Sequence, residues 1–284
     1  MRALWEKVPI LLLLVFCCSQ YVLAAESPSS TLPDAPSAVV SRGVDDPSDS
    51  AGSKTSSSPR DDEIRGSAGH WVKRVLRDQA DIYTAPFHES ALKWDVGLPL
   101  VTIGLVAIDK HVSGEVPKSP GPVSSDISNG GLWGMEGVTG LIALDGVLTH
   151  NSHAEETGVL DAESFVGSAG LYAVVQLITG RDRPFQDERK GHFFQHTSIY
   201  GNSFPSGHAM FSWDTATILA HEYPKGWVKF LAYGTATAVS VTRITSGQHF
   251  PADVVAGGAL GYLVARHIFH AHCKPGLSEA CEAK

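Results

Sequence analysis

The apolar positions of this chain fall into recurring blocks. From about Trp71 onward, Gly/Ala-rich apolar segments occur at roughly 71–82, 95–109, 131–149, 161–179, 207–221, 226–243 and 251–269, with Pro, Gly and polar residues between them. Segments of this length, with small residues set among large ones, predict helices. Their Gly and Ala content lets backbones approach closely, as in tightly packed bundles. No strand-length alternation of apolar and polar positions is present, and no 20–50-residue period that would mark a repeat array. The expected fold class is all-α, a helical bundle.

The N-terminal pattern differs. Arg2 and Lys7 flank the start of an apolar run from Val8 to Phe16, and small residues follow at Ala24 and Ala25. This is the layout of a secretory signal peptide over residues 1–25; the run is short for a membrane span, which needs about 20 apolar residues. An uncleaved N-terminal anchor is the competing reading. Residues 26–69 are rich in Ser, Pro and Asp and poor in large apolar side chains, so a disordered linker is expected. The folded domain is then expected at 70–272, followed by a C-terminal tail at 273–284.

Composition narrows the classes. A net charge of −8 and a pI near 5.9 exclude a broadly basic nucleic-acid binder. A mean hydropathy of −0.01 argues against a chain made mostly of long spans. Asp145, Glu163, Asp214 and Lys229 lie in or near the middle of helical segments, and most apolar stretches are shorter than a bilayer requires. Four Cys are too few for a disulfide scaffold. After export, Cys273 and Cys281 either close a small loop or remain free thiols. His267, His270, His272 and Cys273 are spaced unevenly near the chain end, which reads as a solvated tail rather than a metal site.

Three short motifs carry candidate chemistry. Gly180-Arg181-Asp182-Arg183-Pro184 ends one apolar segment, and Pro205-Ser206-Gly207-His208 opens the next. Thr242-Arg243 is followed after five residues by His249 and after three more by Asp253. A four-residue string such as Pro-Ser-Gly-His arises by chance on the order of once per 10⁵ positions, and three motifs in this order are far rarer.

A phosphate ester resists attack because its oxygens are negative. Catalysis needs cationic and N–H donors around them, a nucleophile in line with the leaving group, and an acid to protonate that group. Arg183 and Arg243 offer guanidinium forks that match phosphate. Ser206 and Gly207 stand at an expected helix N-terminus, where backbone N–H groups and the dipole favour an anion. Asp253 lies four residues after His249, so it can orient one ring nitrogen and free the other to attack phosphorus. His208, after the anion-binding turn, is expected to act as general acid and then as base. Pro184 and Pro205 are expected to fix turns. His192 and His196 either edge the entrance or are plain loop residues.

With these motifs the chain resembles the type 2 phosphatidic acid phosphatase (PAP2) superfamily, which also includes bacterial acid phosphatases and vanadium haloperoxidases. The family pattern is Lys-x6-Arg-Pro, then Pro-Ser-Gly-His, then Ser-Arg-x5-His-x3-Asp. The resemblance implies a bundle of about six core helices over residues 70–272. It also implies a metal-independent phosphatase that forms a phosphohistidine on His249. It assigns His208 and Asp253 to catalysis, and Arg183, Arg243, Ser206, Gly207 and position 176 to phosphate binding. The family Lys falls on Gln176 and the family Ser on Thr242. Thr keeps a hydroxyl. Gln loses a cation, so a weaker site or a less charged substrate is expected. Arg181 either supplies part of that charge or pairs with Asp182 or solvent.

The expected partner is a phosphorylated small molecule or lipid, with no cofactor and no nucleic acid. Vanadate enters only if the chain is a haloperoxidase; a non-catalytic phospholipid- or anion-binding protein is the other alternative. Membrane relatives carry six spans with their motifs outside the cell. An export signal followed by three spans would place Arg183 in the cytoplasm, so an exported bundle, periplasmic or bound to the extracytoplasmic face of the membrane, is favoured over an integral multi-span protein.

Overall fold

In the computed structural model, the described residues run from 59 to 282, apart from 86–91 and 117–121. The signal segment and most of the linker lie outside them. Eight helices and no strand occur among the described residues: α1 (Pro59–Thr84), α2 (Leu92–Glu115), α3 (Pro122–Thr149), α4 (Ser152–Thr179), α5 (Gly207–Glu222), α6 (Gly226–Thr245), α7 (Pro251–His272) and the short α8 (Glu279–Glu282). Each expected segment is a helix, and α2–α7 form the six-helix core.

α5 is the centre. It packs against α3, α4, α6 and α7, and nearly all of its residues are buried. Small residues make this possible. A Cβ on Gly261 of α7 would lie 2.0 Å from the Met210 carbonyl oxygen of α5, and one on Gly257 would lie 2.4 Å from the Ser206 carbonyl oxygen. Leu160, Ile218, Val264, Ile268 and Phe269 fill the core at one end of the bundle, and Met135, Ala216, Leu219 and Ala236 pack beside them.

Of the ionisable groups inside the segments, Asp145 and Lys229 are exposed, and the two buried ones, Glu163 and Asp214, each have a local partner on one carboxylate oxygen. Glu163 pairs with Arg74 of α1, and Asp214 accepts hydrogen bonds from Ser164 and Ser168, both at 2.7 Å. Buried polar groups persist in helices only with such partners.

The structure departs from the sequence reading in three places. α1 begins at Pro59, inside the stretch read as linker; Pro suits the first helical turn. α3 begins at Pro122, well before 131. The Ser/Asn/Gly run at 124–131 read as a break, yet Gly131 lets α3 meet α6, since a Cβ there would sit 2.6 Å from Val239 Cγ2. The tail is only partly solvated: Lys274, Pro275, Gly276 and Glu279 are exposed, while Ser278 and Cys281 are buried. Cys273 and Cys281 form a disulfide with Cα atoms 6.0 Å apart, and Cys281 is buried against α5 and α7.

One described helix segment, Val96–Glu115 of α2, is long and apolar enough to cross a membrane, and little of it is buried. α3 and α6 also present apolar side chains outward, among them Leu141, Leu148, Trp227 and Phe230. Such faces suit association with a membrane.

Candidate active site

The C-terminal ends of α2, α4 and α6 and the N-terminal ends of α3, α5 and α7 meet at one end of the bundle. Gly180 ends α4 in the left-handed region (φ 44°), where a Cβ would overlap the His196 carbonyl. The chain then turns into the 181–206 loop and enters α5.

His249 lies just before α7 and is almost fully buried. Its Nδ1 is 2.7 Å from the Ser203 carbonyl oxygen. A carbonyl only accepts, so Nδ1 carries the proton and Nε2 keeps its lone pair. The partner expected from spacing, Asp253, is 3.8 Å from the same nitrogen. Asp253 instead accepts from Ser203 Oγ (2.5 Å), the Phe250 N–H (2.8 Å) and Arg181 (2.6 Å). The carboxylate therefore faces the imidazole at ion-pair distance and also reaches it through Ser203. α7 starts at Pro251, after His249, so the two do not share one helix face.

His208 stands in the first turn of α5. Its Nε2 lies 2.8 Å from Asn129 Oδ1, on the early part of α3 that the sequence reading missed. Arg183 donates to Gln248 Oε1 (3.0 Å) and the Gly201 carbonyl (3.1 Å). Arg243 approaches Ser128 Oγ at 3.3 Å. Both guanidiniums bear on both imidazoles. His249 is held well below the usual histidine range, by burial first and then by Arg183 and Arg243. Burial, then Arg243, His249 and Arg183, hold His208 down in the same sense.

The anion turn differs in detail from expectation. The Ser206 N–H is spent on the Asp253 carbonyl at 3.0 Å. The outward N–H groups therefore begin at Gly207. The Ser206 hydroxyl is buried and has no hydrogen-bond partner among the described residues, so a bound oxyanion would satisfy it.

Gln176 is not a phosphate ligand in this geometry. Its Nε2 donates to the Asn202 and Pro205 carbonyls, both at 3.2 Å, and its Oε1 accepts from the Asn202 N–H at 3.0 Å. It clamps the loop ahead of Pro205. Gln176→Ala is expected to leave buried loop groups unsatisfied, at about 1–3 kcal/mol each. Thermal unfolding should show a fall of about 5 °C, and an unchanged melting temperature would refute the clamp.

His192 and His196 pair with Asp187 (3.3 Å) and Asp182 (2.7 Å). Asp182, Asp187 and His192 bring possible ligand atoms within 4.8 Å of one another. The Asp187 carboxylate is already used by the Lys190 and His192 N–H groups, so this cluster is accounted for as a loop brace.

Similar proteins are found by sequence and by structure. The family model described as the PAP2 superfamily matches residues 162–275. The chain is 33% identical over 104 residues to an undecaprenyl-diphosphatase of Sulfolobus acidocaldarius, covering 37% of this chain and 50% of that protein. It is 35% identical over 65 residues to a lipid A 1-phosphatase of Porphyromonas gingivalis, covering 22% of this chain and 15% of that protein. A transmembrane PAP2-type phosphatidylglycerolphosphate phosphatase of Bacillus subtilis aligns with a TM-score of 0.48 and 25% identity, over 64% of this chain and 98% of that one. The chain thus spans half or less of the length of these two curated relatives. Over residues 162–275 it is similar to the PAP2 superfamily.

Proposed function

We propose that the protein is a membrane-associated phosphatase that hydrolyses lipid phosphates or pyrophosphates through a phosphohistidine on His249. The observation that carries this reading is that two buried guanidiniums and two buried imidazoles meet at one end of the bundle, with His249 Nδ1 on the Ser203 carbonyl and its Nε2 left for attack. Arg183, Arg243, the outward N–H groups of the α5 N-terminus and the Ser206 hydroxyl hold the phosphate oxygens and balance their charge. His249 Nε2 attacks phosphorus. Burial first, and then the guanidiniums, disfavour a proton on His208; the charge of the entering anion offsets the guanidiniums, and His208 takes up a proton. It gives that proton to the leaving oxygen, then accepts one from the water that cleaves the phosphohistidine. The arginines supply the positive charge that a metal ion supplies in other phosphatases.

Three observations favour a lipid over a small ester. Apolar faces are exposed on α2, α3 and α6. An apolar cavity of about 440 Å³ lies between α2 and α7 beside the catalytic loop, bordered by Phe193 and Phe204. The two curated relatives named above are, by name, a lipid A 1-phosphatase and an undecaprenyl-diphosphatase. The deciding experiment is phosphate release in chelator-containing buffer from phosphatidate, an isoprenyl pyrophosphate and p-nitrophenyl phosphate. Release from the two lipids is expected to exceed release from the small ester. No release from any of them would end the reading.

The depressed histidines set the pH dependence. His249 attacks only when neutral, and its lowered pKa keeps it neutral as pH falls below the ordinary histidine value of about 6.5. The acid limb of kcat/KM is therefore expected below pH 6.5. Arg183→Gln, which removes one of the causes, should move that limb upward. A wild-type limb at or above 6.5 would contradict the assignment.

A further inference from the structure

Arg181 is the motif residue that the phosphate chemistry leaves unused. It neither replaces the missing cation at 176 nor pairs with Asp182. Its guanidinium is 1% exposed and is enclosed between the rings of Phe193 (4.6 Å) and Phe250 (4.2 Å). One terminal nitrogen donates to Asp253 at 2.6 Å, the other to Asp109 of α2 at 2.8 Å, and Nε to the Gly191 carbonyl at 3.2 Å.

Asp109 has a second contact. Its other oxygen accepts from the Ala252 N–H at 3.0 Å, in the first turn of α7. Two routes therefore run from this carboxylate toward the nucleophile. One passes through Arg181, Asp253 and the Ser203 hydroxyl to the Ser203 carbonyl that holds His249 Nδ1. The other fixes the start of α7, three residues beyond His249. Every group along both routes is buried, where a guanidinium flanked by two carboxylates keeps one geometry and loses it when either is removed. Asp109 also lies outside residues 162–275, in a helix that otherwise packs mainly on α7.

We propose that Asp109 is a positioning residue for His249, linking α2 to the nucleophile through Arg181 and Asp253. The proposal rests on the phosphatase reading above. Asp109 touches no substrate, so its loss should slow attack without weakening binding. A displacement of about 1 Å at a reacting group costs on the order of 100-fold in rate.

The test uses full-length protein in detergent, with phosphatidate as substrate. Wild type, Asp109→Asn and Asp109→Glu are compared for kcat, KM and melting temperature. Asp109→Asn keeps the shape and an acceptor for the Ala252 N–H but removes the charge. The expected result is a fall in kcat of about 10- to 100-fold with KM within about twofold and the protein folded at the assay temperature, and partial recovery in Asp109→Glu. Wild-type kcat in Asp109→Asn would overturn the proposal, as would a rise in KM with kcat kept. Activity that falls only in step with the folded fraction in both variants would also overturn it, because the residue is then structural. Absence of turnover in wild type would instead remove the phosphatase reading itself.

Discussion

His249→Ala is expected to lower kcat by about 10⁴-fold or more, the scale seen when a covalent nucleophile is removed. The geometry makes this demand specific. His249 is the imidazole whose Nδ1 proton is tied to a carbonyl and whose Nε2 is left for bonding to phosphorus. The second imidazole, His208, is turned toward Asn129; in the proposed mechanism it is the general acid, a role worth about 10²–10⁴-fold. The two variants should therefore differ in kind. Wild type should yield an acid-labile phosphorylated protein after rapid quenching. His208→Ala should accumulate or slowly form that species, and His249→Ala should form none. Persistent turnover in His249→Ala would exclude the assigned nucleophile.

The second large effect lies in the packing. Gly261→Val is expected to lower the melting temperature by about 10 °C or more, or to prevent recovery of folded protein. Over-packing a core usually costs about 1–3 kcal/mol, with each kcal/mol worth about 2–4 °C in a domain of this size. Here the obstacle is backbone: even a Cβ would stand 2.0 Å from the Met210 carbonyl, so no rotamer change relieves it. α5 and α7 would have to separate, and they carry His208 and Asp253. A melting curve within 2 °C of wild type would show that the helices can part without cost.

How legible was this in the sequence? The helices were, because Gly/Ala-rich apolar blocks separated by Pro and Gly leave few alternatives. The start of α3 was not. Its polar run reads as a connection, but in the fold Ser128 and Asn129 face Arg243 and His208. A stretch that is polar because it borders a site looks, in one dimension, like a loop.

The same holds for the site. Arg183, His208, Arg243 and His249 sit in compact motifs and were readable. Asn129, Ser203, Gln248 and Asp109 are brought in by packing, and no local pattern marks them. Two residues take contacts that spacing alone does not give. The His249–Asp253 spacing implied one helix face; the helix starts between them, and the side chains still come within 3.8 Å. Gln176 in place of Lys implied a weaker anion site, but its amide has both donors and an acceptor, which suits a clamp on a loop of bare backbone groups.

The disulfide-closed tail and the anion pocket stand at opposite ends of the bundle: Lys274 meets Glu156 at the start of α4, and Ser278 meets His221 at the end of α5. α3 and α4 are 28 residues each, about 40 Å long, against about 30 Å for the hydrocarbon layer of a bilayer. If the bundle spans such a layer, two chemical environments divide the molecule between them. The oxidation state of one thiol pair, trapped by alkylation in intact cells, then becomes a compass for the enzyme: a bridged pair points hydrolysis toward the reducing side, and an unbridged pair points it outward.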